Sequence, residues 1–158
     1  MRHPFAAALL ILAVGGAGGA HADPNGVYVE HVWSRATPKG ANIGVAYLTI
    51  VNHGMEADRL LSASSPAAEK IELHSAKNEN GVMQISQLAS LDVPRGATVV
   101  FAAGGLHMMM VGLKRQQGAA IPLPLIFEKA AAVEATAHVS RLGAMADPQG
   151  PTQHHHHG

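Results

Sequence analysis

Four side chains that can bind a soft metal ion fall within one stretch of predicted strands. They are His74, Met83, His107 and Met109. The chain contains no cysteine, so its soft donors can only be thioethers, supported by imidazoles. Thioether sulfur selects Cu(I) and imidazole also binds copper, whereas Mg²⁺, Ca²⁺ and Mn²⁺ prefer carboxylate, carbonyl and water oxygens. These residue types therefore indicate a copper site.

The spacing within the last of these strands separates possible ligands from packing residues. Residues two apart on a strand project from the same face, and neighbours project from opposite faces. His107 and Met109 therefore offer two donors from one face. Met108 and Met110 point the other way, and we assign them to the core.

A hairpin is predicted between the first two candidate ligands. The connection Lys77-Asn78-Glu79-Asn80-Gly81 is polar and ends in Asn-Gly, the strongest short hairpin signal. We expect this hairpin to fold Met83 back beside His74. The predicted metal site is then His74, Met83, His107 and Met109.

Each of these residues also has an ordinary structural interpretation. A single histidine near a hairpin is most often a solvated surface residue, and methionines in a strand are most often core. An exported structural or interaction sandwich with a Met-rich core strand, binding metal only through its tail, is therefore the alternative to a copper carrier. A copper-dependent redox enzyme is a third hypothesis, and it would need an open coordination position and a substrate pocket.

Other functional classes find little support in the sequence. No GxSxG, P-loop or strand-to-helix GxGxxG motif is present, and we expect no catalysis. A blue-copper electron carrier would need a cysteine thiolate. Eleven basic residues balance eleven acidic ones, which predicts no nucleic-acid partner because that function needs a clustered positive face. His31, His53 and His138 have no evident partners in the sequence.

The elements that must position the site are short strands. Alternating or β-branched segments, separated by Gly, Pro and Asn turns, recur about every ten residues. They predict an all-β, antiparallel Greek-key sandwich or barrel. The alanine-rich segment 128–137 could be helical by propensity, but its alternation favours a strand. The predicted strands are residues 28–33, 43–51, 59–63, 70–75, 82–88, 98–101, 106–113, 122–128 and 132–140.

The N-terminus has the order of a secretory signal. Arg2 and His3 precede an apolar run from Phe5 to Val14, and small residues lead to Ala20-His21-Ala22. The apolar run is shorter than the roughly 18 to 20 residues that a membrane span needs. We expect residues 1–22 to be a signal peptide, cleaved before Asp23. The product would be periplasmic, without stable membrane insertion.

The C-terminus changes in character after the last strand. We assign residues 23–142 to the copper-binding domain and residues 143–158 to a flexible, disordered tail, which carries His154, His155, His156 and His157. Clustered imidazoles bind Cu(II), Zn²⁺ and Ni²⁺ almost irrespective of fold. A truncated purification tag would look similar, but four histidines followed by glycine are unusual for a tag. The pattern favours a native tail that captures Cu(II).

Several motifs together resemble a known family. They include Trp33-Ser34-Arg35-Ala36-Thr37-Pro38, the run Ala46 to Gly54, Glu69-Lys70-Ile71-Glu72-Leu73-His74 and Gly105-Leu106-His107-Met108-Met109. With the intervening segments, the chain resembles the periplasmic copper chaperones of the PCuAC type over about residues 27–140. The resemblance implies a cupredoxin-like β-sandwich that binds Cu(I) through two histidines and two methionines. It also implies delivery toward the copper centres of cytochrome c oxidase, alongside a thiol-based Sco-type chaperone.

The family motif is matched at three of its four positions. It runs from a histidine to a methionine eleven residues on, then to a histidine twenty-two further, and ends two residues later at a methionine. His74, His107 and Met109 match it, but the second position is Ile85, which cannot ligate. Met83 could supply the missing thioether from two residues earlier. A three-coordinate site of two histidines and one methionine, or a contribution from the histidine tail, are the other options.

Overall fold

Ten strands form the domain in the computed structural model, which describes residues 26–114 and 120–147. No helix in these ranges is long and apolar enough to cross a membrane. The predicted signal peptide and the four tail histidines lie outside the described residues. The strands are β1 Val27–Arg35, β2 Ile43–Asn52, β3 Asp58–Ala63, β4 Lys70–Glu79, β5 Val82–Leu88, β6 Leu91–Val93, β7 Thr98–Val100, β8 Leu106–Val111, β9 Ala120–Phe127 and β10 Val133–Ser140.

The all-β prediction is confirmed, with two local differences. The short strand β6 (Leu91–Val93) was not predicted, because three residues are too few to show an alternating pattern. β4 continues to Glu79, four residues beyond its predicted end at Ser75. The alanine-rich segment does form a strand, from Val133 to Ser140.

The strands join in one mixed sheet. Its order is β5-β4-β8-β2-β1-β10-β9-β3-β6, and β7 also pairs with β2. Eight of the nine pairings are antiparallel, as predicted, but β1 and β10 are parallel. A short hairpin can only join antiparallel strands, whereas parallel strands need a long connection. β1 and β10 come from opposite ends of the domain, and the chain between them is long enough for parallel pairing.

The sheet bends so that its middle strands are covered on both faces. In β2 every residue from Ala46 to Asn52 is buried, although successive side chains point to opposite faces. Strands distant in the sheet order, β3 with β4 and β2 with β6, also contact each other. The largest fully buried side chains form a single core, namely Leu48, Ile50, Leu60, Met108, Met110, Leu123 and Leu125.

The hairpin between β4 and β5 is tighter than predicted. Glu79 pairs with Val82, so only Asn80 and Gly81 form the loop. Their φ angles of 54° and 83° are those of a type I′ turn, in which both central residues have positive φ. This turn fixes the register of β5 against β4.

The described part of the predicted tail packs on the sheet. Arg35 Nε donates to the carbonyl oxygen of Ala144 at 2.8 Å, and His138 Nε2 lies 2.9 Å from an oxygen of Asp147. Polar groups of β1 and β10 therefore hold residues 141–147 against the domain. These contacts could not be predicted because the segment has no periodic pattern.

Candidate metal site

Two imidazoles face each other across neighbouring strands. β4 and β8 pair antiparallel with His74 directly opposite His107. The centroids of the two rings are 5.5 Å apart, and the ring planes are inclined by 51°. The structure therefore brings together two residues that are far apart in sequence and that were both predicted as ligands.

Met109 lies on the same face as the histidine pair. It is two residues from His107 on β8 and opposite Glu72, which is itself two residues from His74 on β4. Met109 is partly exposed, whereas Met108 and Met110 on the other face are fully buried. The strand thus presents one thioether at the face of the histidine pair and places two in the core, as its alternation predicts.

The imidazole of His74 has one engaged and one unengaged nitrogen. Its Nε2 lies 3.0 Å from Glu72 Oε2. Its Nδ1 is buried and has no hydrogen-bond partner among the described residues. A buried polar atom left without a partner costs about 1–3 kcal/mol, and such groups in folded proteins call for an explanation such as a role in binding an ion. The donor set therefore fits a bound metal ion.

His107 is oriented by the main chain. Its Nδ1 donates to the carbonyl oxygen of Gly105 at 3.0 Å, because a carbonyl oxygen can only accept. A neutral His107 then carries its lone pair on Nε2. A hydrogen bond from one ring nitrogen to a carbonyl is a common way to select the other nitrogen as a metal ligand.

Glu72 is a charged residue of the site that sequence reasoning missed as a functional candidate. Its side chain is 16% exposed and contacts Lys70 and His74. The hydrogen bond from Lys70, followed by that from His74, lowers the pKa of Glu72. Glu72 is therefore an ionised acceptor at neutral pH. The Glu-x-His spacing on a strand, which puts both side chains on one face, was the available signal.

The predicted position of Met83 beside His74 is wrong. The two-residue turn places Met83 opposite Asn78, four residues from His74 along β4, or about 13 Å at the rise of a strand. Ile85 pairs with Ala76, and Gln87 pairs with His74 itself. Met83 shares the face of the histidines but lies beyond their immediate neighbourhood, with 49% of its surface exposed.

An aromatic pair borders the site on its β2 side. Tyr47 lies two residues beyond Val45, which pairs with Met109, so all three side chains share one face. The rings of Trp33 and Tyr47 are 4.7 Å apart and buried. Arg35 lies over the Tyr47 ring at 5.8 Å. Buried aromatic side chains therefore flank the histidine pair on its β2 side.

The other described histidines have partners that the sequence did not reveal. His53 Nε2 bonds the hydroxyl of Tyr28 at 2.8 Å. His31 and His138 both lie beside Asp147, at 3.7 Å and 2.9 Å. Within residues 26–114 and 120–147, no three His, Asp or Glu side chains form a group that could hold a metal ion. A metal at the His74–His107 pair would therefore depend on the Met109 thioether.

Comparison with known proteins identifies the family. Residues 27–139 match the family described as "Putative lipoprotein LpqE-like". The chain belongs to the LpqE-like family. A relative from Leifsonia xyli subsp. xyli (strain CTCB07), named "Putative lipoprotein Lxx21020", is 32% identical over 91 residues. The matched region is 57% of the LpqE-like chain and 54% of that relative, so the chain spans about half the length of the relative.

Solved structures confirm the fold and the predicted PCuAC resemblance of the LpqE-like chain. The apo PmoF2 PCuAC domain has a TM-score of 0.69 at 26% identity, covering 81% of this chain and 99% of that domain. The copper-bound PCuAC domain from PmoF2 has a TM-score of 0.66 at 25% identity, covering 78% and 98%. Apo-DR1885 from Deinococcus radiodurans, at 22% identity and a TM-score of 0.58, covers 89% and 97% and supports the fold alone.

Proposed function

We propose that this chain binds one Cu(I) ion through His74, His107 and Met109 and carries it without catalysis. The observation that supports this most is the buried, unpartnered Nδ1 of His74 beside a second oriented imidazole. The similar PmoF2 PCuAC domain has been solved with copper bound. Three donors from two adjacent strands would hold the ion on one face of the β4–β8 pair.

The donor set favours the monovalent ion. Two imidazoles and one thioether are all neutral, so they leave more charge uncompensated on Cu(II) than on Cu(I), and thioether is a soft ligand. Glu72 supplies the nearby negative charge, but its oxygens are engaged by Lys70 and His74. The site is therefore proposed to be a Cu(I) site.

This chain lacks the methionine that the family motif has as the fourth copper ligand. Ile85 offers no donor atom, and Met83 lies four residues along β4 from His74. We favour the three-coordinate arrangement, and the ligand role of Met83 remains a prediction for a variant to test. A lower coordination number would make the ion easier to release to a partner.

Export and delivery complete the proposal. Membership in a family described as lipoproteins supports an exported protein, and the N-terminal sequence supports cleavage before Asp23 and a periplasmic location. Resemblance to PCuAC chaperones supports delivery toward cytochrome c oxidase assembly, with a Sco-type chaperone and a copper-receiving oxidase subunit as partners. Transfer of Cu(I) from the loaded chain to such a subunit, measured as the copper content of each protein after their separation, would test this step.

The tail is proposed to capture Cu(II). Its histidines, His154–His157, follow Asp147, which contacts the sheet, and six residues separate Asp147 from His154. Such a short connection would keep captured copper at a high effective concentration near the domain site. Replacing the four tail histidines by serine should remove Cu(II) binding and leave Cu(I) binding intact.

The decisive experiment is a Cu(I) titration of the serine-tail chain against a competing chelator under reducing, anaerobic conditions. We expect one equivalent to bind tightly. An absence of Cu(I) binding by the folded chain, with metal bound only when the tail is restored, would instead support the interaction sandwich. Turnover with an added reductant above that of free copper would support a copper enzyme.

A further inference from the structure

We propose that Glu72 is a positioning residue that fixes the tautomer of His74 and thereby makes Nδ1 its ligating nitrogen. This inference rests on the proposed Cu(I) site and adds a residue that the family motif does not contain. It starts from an asymmetry in the ring, since Nε2 is engaged by Glu72 while Nδ1 is buried and unpartnered among the described residues.

The chemistry of the carboxylate decides which nitrogen carries the proton. An ionised carboxylate can only accept hydrogen bonds. At 3.0 Å from Glu72 Oε2, Nε2 of His74 must therefore be the protonated nitrogen. In a neutral imidazole the other nitrogen then carries the lone pair. Glu72 thus leaves the Nδ1 lone pair available to a metal ion before any metal arrives.

Lys70 keeps the carboxylate in place. Its ammonium lies 2.5 Å from Glu72 Oε1, the oxygen that His74 does not use. Residues 70, 72 and 74 alternate along β4, so the three side chains lie in a row on one face. Lys70 is 60% exposed, and exposed ion pairs contribute little. We therefore assign the main orienting effect to Glu72 and a smaller one to Lys70.

The two ligand histidines differ in what orients them. His107 is held by a main-chain carbonyl, that of Gly105, which no side-chain substitution at residue 105 removes directly. His74 is held by a side chain, which a single substitution can remove. Carboxylates that accept from ligand histidines typically raise metal affinity about 10- to 100-fold. Glu72 is therefore the point at which the site can be weakened without deleting a ligand.

The test uses the serine-tail chain and three variants. Glu72→Leu removes the acceptor, and Glu72→Gln keeps an acceptor oxygen but adds a donor. Glu79→Gln is the matched control, because Glu79 is an exposed residue at the far end of the same strand. The first readout is the ring-nitrogen NMR spectrum of the metal-free protein, which distinguishes the two neutral tautomers. The second is Cu(I) affinity by chelator competition.

We expect the wild-type and Glu79→Gln proteins to hold His74 as the Nε2–H tautomer and to bind Cu(I) equally. Glu72→Leu should shift His74 to a mixture of tautomers and weaken Cu(I) binding by about 10- to 100-fold. Glu72→Gln should give a Cu(I) affinity between those of the wild type and Glu72→Leu. Because it disturbs the fold least, it also shows whether the loss of affinity is due to the lost carboxylate.

Two negative results are distinguishable. If the wild-type chain binds Cu(I) and both Glu72 variants match it in tautomer and affinity, the role of Glu72 is overturned while the copper site stands. If the wild-type chain binds no Cu(I), the proposed function fails, and the ligating role of Nδ1 fails with it.

Discussion

Two regions of this domain each bring two histidines together with a carboxylate, and they differ in what that carboxylate does. At the β4–β8 pair, Glu72 contacts Nε2 of His74, and the buried Nδ1 of the same ring has no partner among the described residues. At the β1–β10 pair, the carboxylate of Asp147 lies beside both His31 and His138, one at each oxygen. The first arrangement leaves a ring nitrogen unpartnered, whereas the second engages both imidazoles.

The comparison shows that the number of histidines does not identify a metal site. Both regions have the same residue types, but within the described residues only the β4–β8 pair has a buried imidazole nitrogen without a hydrogen-bond partner. The β1–β10 pair instead holds the C-terminal segment against the sheet. Its histidine His31 has a φ of 51° at a register shift of β1, a conformation in which histidine is enriched.

The largest expected effect on Cu(I) binding comes from removing both proposed ligand histidines. His74→Ala with His107→Ala should weaken Cu(I) binding by more than about 100-fold, since losing even an outer partner costs up to about that factor. The matched control is His31→Ala with His138→Ala, which should change Cu(I) affinity less than about twofold by the same scale. Chelator competition measures both, with circular dichroism confirming the fold. If both double variants lost Cu(I) affinity equally, the β4–β8 region would not be the specific copper site.

The next effect separates the methionines of β8. Met109→Leu should weaken Cu(I) binding by about 10- to 100-fold, because it removes the one thioether that the described residues place beside the histidine pair while conserving volume. Met108→Leu and Met110→Leu should leave Cu(I) affinity unchanged and cost less than about 1.5 kcal/mol of unfolding free energy. A loss of Cu(I) affinity in either buried variant, with Met109→Leu unaffected, would reverse this assignment.

A smaller gain is expected from restoring the family methionine. Ile85→Met places a thioether opposite Ala76, on the histidine face, and should raise Cu(I) affinity by about tenfold, or about 1.4 kcal/mol. Met83→Leu should have little effect on Cu(I) affinity because Met83 lies about 13 Å along β4 from His74. If Met83→Leu weakens binding instead, the hairpin must rearrange when copper binds and Met83 is the fourth ligand.

The smallest effect concerns the β1–β10 pair alone. Asp147→Asn should lower the free energy of unfolding by about 0.5–1.5 kcal/mol, the usual contribution of a hydrogen bond, and should leave Cu(I) affinity unchanged. Urea unfolding with and without Cu(I) measures both quantities. A Cu(I) affinity that falls with this variant would mean that the docked C-terminal segment contributes to the copper site.

Much of the fold followed from local sequence patterns. The alternation in β4 and β8 and the Asn-Gly turn predicted two strands and a hairpin, and strand parity predicted that Met109 and His107 share a face. Which strands pair with each other, and in which register, could not be predicted from these local patterns. That His74 lies opposite His107, and that β1 pairs in parallel with β10, depends on contacts between residues far apart in the chain.

The position of Met83 shows how a small error in a turn moves a side chain. A five-residue connection was expected, but β4 continues to Glu79 and the loop has two residues. Each residue added to the end of β4 moves the turn, and with it the start of β5, about 3.3 Å further from His74. Glu72 was missed for another reason, since carboxylates on exposed strand faces are common and its contact with His74 becomes specific only in three dimensions.

The alternation of buried and exposed methionines in β8 also determines how the domain responds to oxidants. Met108 and Met110 are fully buried, and Met109 is partly exposed. Oxidation of methionine to its sulfoxide converts a soft apolar thioether into a polar group and is reversed enzymatically. Peroxide would therefore modify Met109 before the two core methionines, so the proposed thioether donor would be lost while the core stays intact. If Met109 ligates copper as proposed, reductive repair of its sulfoxide would restore copper binding without refolding.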